Sequence, residues 1–527
     1  MIILLIIAAV PMVRAFDTFM VSSQNLTDRT TAIRSQRDVS TNITIDQIST
    51  GGISLASVLF RNRGYTTSAL EDMVMMLAAG AQTLVIDLYW NESLRKFQIC
   101  PVPFDNNLED FISSTVKYFE QDNVSYLCEV GLSLDVFLEA VMVYVQETDT
   151  TLNGNLIVLL FNIYSIGMDR IYDASLIGTS NDTLSSVLQS GTGSKLYTST
   201  LLSSDKASGI NDSKNDSGYP GLGHFLFQEK KRVIGATWEI QLAANTTYNL
   251  TNDQGTVFNS TFFHSFTPLD ETSLSNFTSR ELVSWRFAYD SEFDEFTTES
   301  LQDVVLEGYS PIVSRSASTD ELASLLNSSL WSWSPNEPLT EEIARASAVE
   351  SGDSLVQAAF RCAAINQEGK WEVANCYDMK VIACRGDKDF DWVLSKESDT
   401  YFNSVDKCSD IEGNYTFSVP KTSLEQKYLR DYIKNRKVNG TVWIDMNSIA
   451  ISNCWVTGGP YASCPYQKIS SHRNFVGMLT PATMMTLLLL VLIFLLRFRK
   501  VPVQKNRKHW RRIEKEKSEG EYEGVPS

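Results

Sequence analysis

Histidine is scarce in this chain: 527 residues hold four, and none precedes His224. Proton transfer at neutral pH wants a group that titrates near 7, which is what imidazole supplies. The chain ahead of His224 therefore cannot bring a histidine pair to a site of its own, and His224 and His264 fall in or beside polar loop segments that suit surface residues. Basic charge is short too. The stretch from Arg497 holds ten basic and five acidic residues; without it, totals of 45 and 63 become 35 and 58, a net charge of −23. So acidic a body lacks the basic patches that displace counterions from nucleic acid, which excludes direct nucleic-acid binding outside the tail. Charge of either sign is absent from Phe475 to Leu496, no cysteine follows Cys464, and no Asn-x-Ser/Thr sequon follows Asn439.

At about 1.5 Å per helical residue, the uncharged stretch 475–496 reaches across a bilayer core of roughly 30 Å, as a transmembrane helix would. The basic cluster behind it (Arg497, Arg499, Lys500, Lys505, Arg507, Lys508, Arg511 and Arg512) makes 497–527 a cytosolic tail. Such a cluster reads as a topology and anionic-lipid signal rather than a DNA-binding arm. At the other end, the apolar run Ile2 to Val10 closes on Val13-Arg14-Ala15, so 1–15 reads as a signal peptide. The expectation is a single-pass type I glycoprotein of the secretory-pathway membrane, at the endoplasmic reticulum, vacuole or cell surface, with its amino terminus lumenal or extracellular. Sequons at Asn25, Asn42, Asn91, Asn123, Asn181, Asn211, Asn215, Asn245, Asn249, Asn259, Asn276, Asn327, Asn414 and Asn439 agree, all lying before the span. So do the eight cysteines, Cys100, Cys128, Cys362, Cys376, Cys384, Cys408, Cys454 and Cys464, an even set that reads as disulfides.

The body organises around Arg63 to Phe104. Thr67 and Ser68 can cap a helix, Ser68 with Glu71 fits a capping box, and Leu70, Met73, Val74, Leu77 and Ala78 then recur on one helical face until Gly80 stops it. Leu84-Val85-Ile86 follows as a short apolar run, as in a parallel strand covered on both faces. Asp87 sits at its carboxyl end. In a barrel of alternating strands and helices that end is the functional rim, so Asp87, Tyr89, Trp90 and Asn91 are where a site would lie. The alternative for Asp87 is a carboxylate that ties down a loop.

Helix then strand recurs at Leu134 to Val145 and Asn155 to Phe161, the latter ended by Asn162. Further strands are expected at Gly51 to Leu55, Arg232 to Ala236, Trp285 to Tyr289 and Tyr309 to Val313, with a helix at Leu301 to Leu306. Phe16 to Ser49 reads as an irregular polar lead-in, and 173–223 as a disordered, glycosylated insertion. Cys100 and Cys128 stand apart from the other cysteines, which suggests that they pair. Around Trp331 the texture changes to closely spaced Trp and Cys, as in a small stapled domain. The domains expected are 16–325, a lumenal barrel, and 326–470, the stapled module.

The helix end with Gly80 and the strand ending Asp87-Leu-Tyr-Trp-Asn resemble the phosphatidylinositol-phospholipase-C-like phosphodiesterase barrels. That resemblance implies a TIM-type α/β barrel whose strand ends carry paired acids and histidines. Here Asp87 matches and Val85 stands where its acidic partner would be. The region from Trp331 to Cys464 resembles a C-type lectin-like domain with its halves in swapped order. Trp333, Glu337-Pro338, Cys362, Trp371, Cys376 and Cys384 resemble the second half, and Trp392, Cys408, Glu425, Leu429 and Trp443-Ile444 the first. A circular permutation near Asp387 implies the pairs Cys362–Cys376 and Cys384–Cys408 and leaves Cys454 for Cys464; two degenerate copies are the alternative. In sugar-binding members Glu-Pro-Asn and Trp-Asn-Asp hold calcium. Here Leu339 follows Glu337-Pro338 and Glu372-Val373 follows Trp371, so Glu337 is the one candidate ligand, with a loop anchor as its other reading, and no cofactor is expected.

Taken together, these features resemble one fungal family along nearly the whole chain, the maintenance of telomere capping proteins, sixth of that name. The resemblance implies a membrane glycoprotein with an indirect role in telomere capping. The expected function is a non-catalytic scaffold, membrane-embedded, that presents surfaces to lumenal or membrane proteins. The alternatives are a lumenal phosphodiesterase acting through Asp87 on lipid or glycan phosphodiesters and a glycan-binding receptor.

Overall fold

The computed structural model describes residues 23–92, 94–104, 116–121, 124–166, 182–209, 218–259, 261, 263, 284–290, 295–316, 318–350, 358–387, 390–467, 472–500 and 507–519. The signal peptide, His264 and the sequons at Asn123, Asn181, Asn211, Asn215 and Asn276 lie outside the described residues, as does the side chain of Asn25. The chain forms two compact units, Met1–Pro465 and Tyr466–Ser527.

The first sheet of the larger unit holds β1 (Gly52–Ser54), β2 (Thr83–Asn91), β3 (Lys96–Gln98), β6 (Ile157–Ile166), β7 (Leu196–Tyr197), β8 (Val233–Gln241), β9 (Phe287–Tyr289) and β10 (Ser310–Val313). Between β3 and β6 comes a separate ribbon of β4 (Val116–Gln121) and β5 (Val124–Glu129). The order across the sheet is β7-β8-β6-β2-β1-β10-β9, every pair parallel, with β3 antiparallel on β2. Leu84, Ile86 and Leu88 of β2 face the helices together with Leu159 and Phe161 of β6. Val85, Leu160, Ile234, Phe287 and Ile312 fill the concave side. Burial on both faces is why these strands read as unbroken apolar runs.

Among the described residues no ladder joins the two ends of the sheet. Instead β8, next to the short edge strand β7, meets the other edge through rings: Trp238 of β8 lies 5.7 Å from Phe287 and 5.6 Å from Tyr289 of β9, centroid to centroid. The sheet is thus a partial barrel, curled until β8 and β9 touch by aromatic packing. This is the physical form of the strand shortage in the sequence.

Three expectations are corrected. The lead-in is not irregular: α1 (Ser23–Val39) crosses it, and its described side chains, 29–39, are mostly buried or half-buried despite their polarity. Part of the expected insertion is ordered, with helices α4 (Leu184–Thr192) and α5 (Ser199–Ser208) flanking β7, and with Leu184, Leu188 and Tyr197 wholly buried. Thr183 and Thr198 cap these helices, a signal hidden in the Ser/Thr-rich composition. Finally, α2 (Ala69–Ala78) forms as expected but without the Ser68 side-chain cap. The Glu129 carboxylate takes the Thr67 N–H at 2.7 Å and its hydroxyl at 2.9 Å. On the outer face α3 (Leu134–Glu147) packs beside α2, capped by Ser133.

The second sheet has the order β12-β11-β16-β13-β14, built from β11 (Phe360–Ile365), β12 (Trp371–Asn375), β13 (Val381–Arg385), β14 (Trp392–Leu394) and β16 (Val442–Asn447), with β15 (Thr416–Phe417) on β13. Its pairs are antiparallel except β13 with β16. Disulfides join Cys100–Cys128, Cys362–Cys376, Cys384–Cys408 and Cys454–Cys464, the pairs expected. Trp331, Trp333 and Trp371 are core, their rings packed edge to face.

In the smaller unit one helix runs His472–Lys500. Among the described residues no helix is long and apolar enough to cross a membrane. The expected span at 475–496 lies on this helix.

Candidate functional site

Strand β2 continues to Asn91, so Asp87 lies within it rather than at its end. Alternation puts Val85, Asp87 and Tyr89 on the concave face, climbing toward the carboxyl ends of the strands. Val85 is buried beneath. The register sets Asp87 opposite Asn162 and Tyr89 opposite Tyr164 of β6. Two strands therefore place a carboxylate beside an amide and, one step higher, a tyrosine beside a tyrosine, with ring centroids 5.3 Å apart.

Asn162 Nδ2 donates to Asp87 Oδ1 at 2.8 Å. On its other side β8 bulges: Thr237 pairs with Phe161 and Ile240 with Ile163, so Trp238 and Glu239 together oppose Asn162. Asn162 Oδ1 accepts the Glu239 N–H, 3.2 Å away, that the ladder leaves over. Burial pushes the Asp87 carboxyl up, the Asn162 hydrogen bond offsets part of that, and the Glu239 charge adds to it. Tyr65, Tyr89, Tyr164 and Tyr289 are each pushed above the usual phenol range, by burial first and then by the Asp87 charge. Tyr65 reaches the site from the loop before α2, its ring 6.3 Å from that of Tyr126. The Tyr289 hydroxyl is buried without a hydrogen-bond partner.

The other expected site residues go elsewhere. Trp90 turns to the opposite face, against Phe97 and Tyr248, with Nε1 donating to Thr247 Oγ1 at 3.3 Å. Asn91 is fully buried, its Nδ2 donating to Gln98 Oε1 at 2.9 Å, which leaves no room for a glycan on the folded chain. Asn42, Asn245, Asn249, Asn259, Asn327, Asn414 and Asn439 are exposed. His224 precedes β8, at the opposite end of the strands from Asp87, and contacts Gln228 and Glu229. Glu337 is a loop anchor: its Oε2 accepts the Leu339 N–H at 2.7 Å and the Val373 N–H at 3.3 Å.

Asn162, Tyr164, Glu239 and Tyr289 were missed in the sequence. A signal for two of them was there, since Ile-Asp-Leu-Tyr at 86–89 and Phe-Asn-Ile-Tyr at 161–164 share one pattern of polar then aromatic at period two. The site can bind through a partly buried negative charge and aromatic rings. Among the described residues around Asp87, no imidazole is placed to move a proton.

Comparison with known proteins adds the following. Residues 23–332 match the family domain described as the MTC6 partial TIM-barrel domain, from the start of α1 to Ser332. Proteins named Maintenance of telomere capping protein 6 are similar along nearly the full length. That of Candida tropicalis is 33% identical, that of Debaryomyces hansenii 31% and that of Meyerozyma guilliermondii 33%, each alignment covering 94% of both chains. Among solved structures, a calcium-dependent phosphatidylinositol-specific phospholipase C from Streptomyces antibioticus aligns at 13% identity and a TM-score of 0.30, over 54% of this chain and 97% of that one. That likeness is too slight to carry an argument.

Proposed function

Because the chain belongs to the family of the MTC6 partial TIM-barrel domain, whose relatives are named for maintenance of telomere capping, we propose that it acts by binding rather than by chemistry. On this reading it is a single-pass membrane glycoprotein of the secretory pathway, with the partial barrel and a lectin-like second sheet presented to lumenal or membrane partners. Its effect on telomere capping is then indirect, since the bulk of the chain is separated from chromosomes by a membrane.

The observation that carries the reading is the surroundings of Asp87. A carboxylate serving general acid–base chemistry on a phosphodiester needs a second proton-transfer group within hydrogen-bond reach. Asp87 has Asn162, which holds no transferable proton at neutral pH, and phenols that its own charge makes harder to ionise. The test uses the purified full-length glycoprotein with phosphatidylinositol and glycan phosphodiesters. The expected result is no turnover above an Asp87→Ala control; turnover that disappears in that variant would make the protein a hydrolase.

A further inference from the structure

The mouth of the partial barrel combines two features. One is a carboxylate held from one side only: Asp87 Oδ1 accepts from Asn162, while Oδ2 has no hydrogen-bond partner among the described residues. The other is aromatic surface from two directions. Tyr89 and Tyr164 stand as a stacked pair on β2 and β6, and Tyr289 rises from β9 across the concave face, while Tyr65, stacked on Phe60, backs the site from the loop before α2. Tyr89, Tyr164 and Tyr289 remain partly open to solvent, so the rings are not a sealed core.

We propose that this mouth binds a quaternary or multiply methylated ammonium group, with Asp87 answering its charge and the tyrosine rings covering its methyl groups. The proposal deepens the binding reading given above and rests on it. The sign of the ligand follows from Asp87 and Glu239, both acidic, with no described cation paired to Asp87. Its kind follows from what the site lacks. A hard metal ion wants six to eight oxygens, but the Asp87 Oδ1 and Asn162 Oδ1 lone pairs already face N–H donors. A primary ammonium brings three donors and a guanidinium five, more than one free carboxylate oxygen and nearby hydroxyls can satisfy. A methylated ammonium brings no donor in its quaternary form, gives up little hydration, and is drawn to ring faces within about 6 Å. The buried, unpartnered Tyr289 hydroxyl is a further dipole with its oxygen uncommitted.

The experiment takes the full-length protein in a non-ionic detergent and titrates it with tetramethylammonium, ethanolamine and methylguanidinium, following binding by calorimetry and saturation-transfer NMR. Tetramethylammonium is expected to bind roughly ten-fold more tightly than ethanolamine. Asp87→Asn, which keeps an oxygen for Asn162, and Tyr164→Leu are each expected to lose about ten-fold, whereas Tyr164→Phe keeps the ring and the affinity. No saturable binding of tetramethylammonium, equal or tighter binding of ethanolamine or methylguanidinium, or affinity unchanged in both Asp87→Asn and Tyr164→Leu overturns the proposal. Choline and dihexanoyl phosphatidylcholine, compared on the same sample, separate a free ligand from a lipid head, and tighter binding of either supports the site. Hydrolysis of the lipid during the titration would overturn the non-catalytic reading and leave the cation site standing, so the two failures are told apart.

Discussion

Glu337 shows how one buried carboxyl makes a pH dependence. Its proline peptide is cis, and its side chain is held by two backbone N–H groups. Burial nevertheless dominates and pushes it up to about 7 from 4.5. Between those values the folded chain keeps a proton that the unfolded chain has released. Its contribution is therefore full below about pH 4.5, declines as pH rises to 7, and levels off above. The loss amounts to no more than about 3 kcal/mol. Lys370, which burial pushes down to about 7, acts on the alkaline side of that value, so the two windows do not overlap. Denaturant titrations from pH 4.5 to 7 are expected to show stability falling in the wild type, with a flatter profile in Glu337→Gln, whose amide oxygen still accepts both N–H groups. Asn91 makes a second prediction at this scale. Asn91→Gln is expected to leave the glycan count on a gel unchanged and to cost about 1–3 kcal/mol, because its buried bonds to Gln98 and Leu94 are misplaced. Asn249→Gln does the reverse. Asn249 is exposed, its Oδ1 accepts from Thr251, and its Nδ2 has no hydrogen-bond partner among the described residues, so one glycan is lost with little change in stability.

Among the elements, α1 is the one whose sequence disguises its place. Its side chains are mostly polar, yet they serve backbone groups on three sides. Arg37 donates to the Gly154 carbonyl at 2.7 Å and the Thr151 carbonyl at 2.9 Å. Ser35 Oγ accepts from Trp333 Nε1 at 2.7 Å, and Ser40, just past the end of the helix, donates to the Lys421 carbonyl at 2.7 Å. Gln36 Oε1 alone accepts from the Trp331 N–H, the Ser332 N–H and the Ser332 hydroxyl. The helix fastens the partial barrel to the second sheet by hydrogen bonds, beside the apolar contacts of Ala32 and Val39. Gln36→Leu, near in size but without the oxygen, leaves three buried donors unpaired. It is expected to cost about 2–4 kcal/mol in urea unfolding.

For the whole molecule the decisive quantity is topology. Tags after Ala15 and at Ser527, with protease and glycosidase added to intact membranes, are expected to report a protected, glycosylated body and an accessible tail. A cytosolic, unglycosylated body would remove the membrane barrier between the protein and chromosome ends, and with it the indirect role. Reduction gives a separate check. Cys362–Cys376 and Cys384–Cys408 both anchor the second sheet, and breaking either is expected to lower the melting temperature by several degrees.

The sequence by itself determined what depends on local pattern. The apolar runs at 84–86 and 157–161 made parallel strands, the stripe through Leu70, Met73 and Leu77 made a helix, and four cysteine pairs closed as spacing and family likeness implied. It also put Asp87 on the concave face together with Tyr89, because alternation fixes which residues share a side. Only the tertiary structure decided the rest, and in each instance the cause is an interaction between residues far apart in the chain. Burial of α1 depends on carbonyls and N–H groups that distant loops leave unpaired. Order in 182–209 depends on a strand edge offered by β8. The tyrosines reach Asp87 because a bulge opposite Asn162 and ring contacts between β8 and β9 curl a sheet with too few strands into a mouth. Periodicity records which way a side chain points along its own strand; which groups converge on a charge is set by the curvature of the whole sheet.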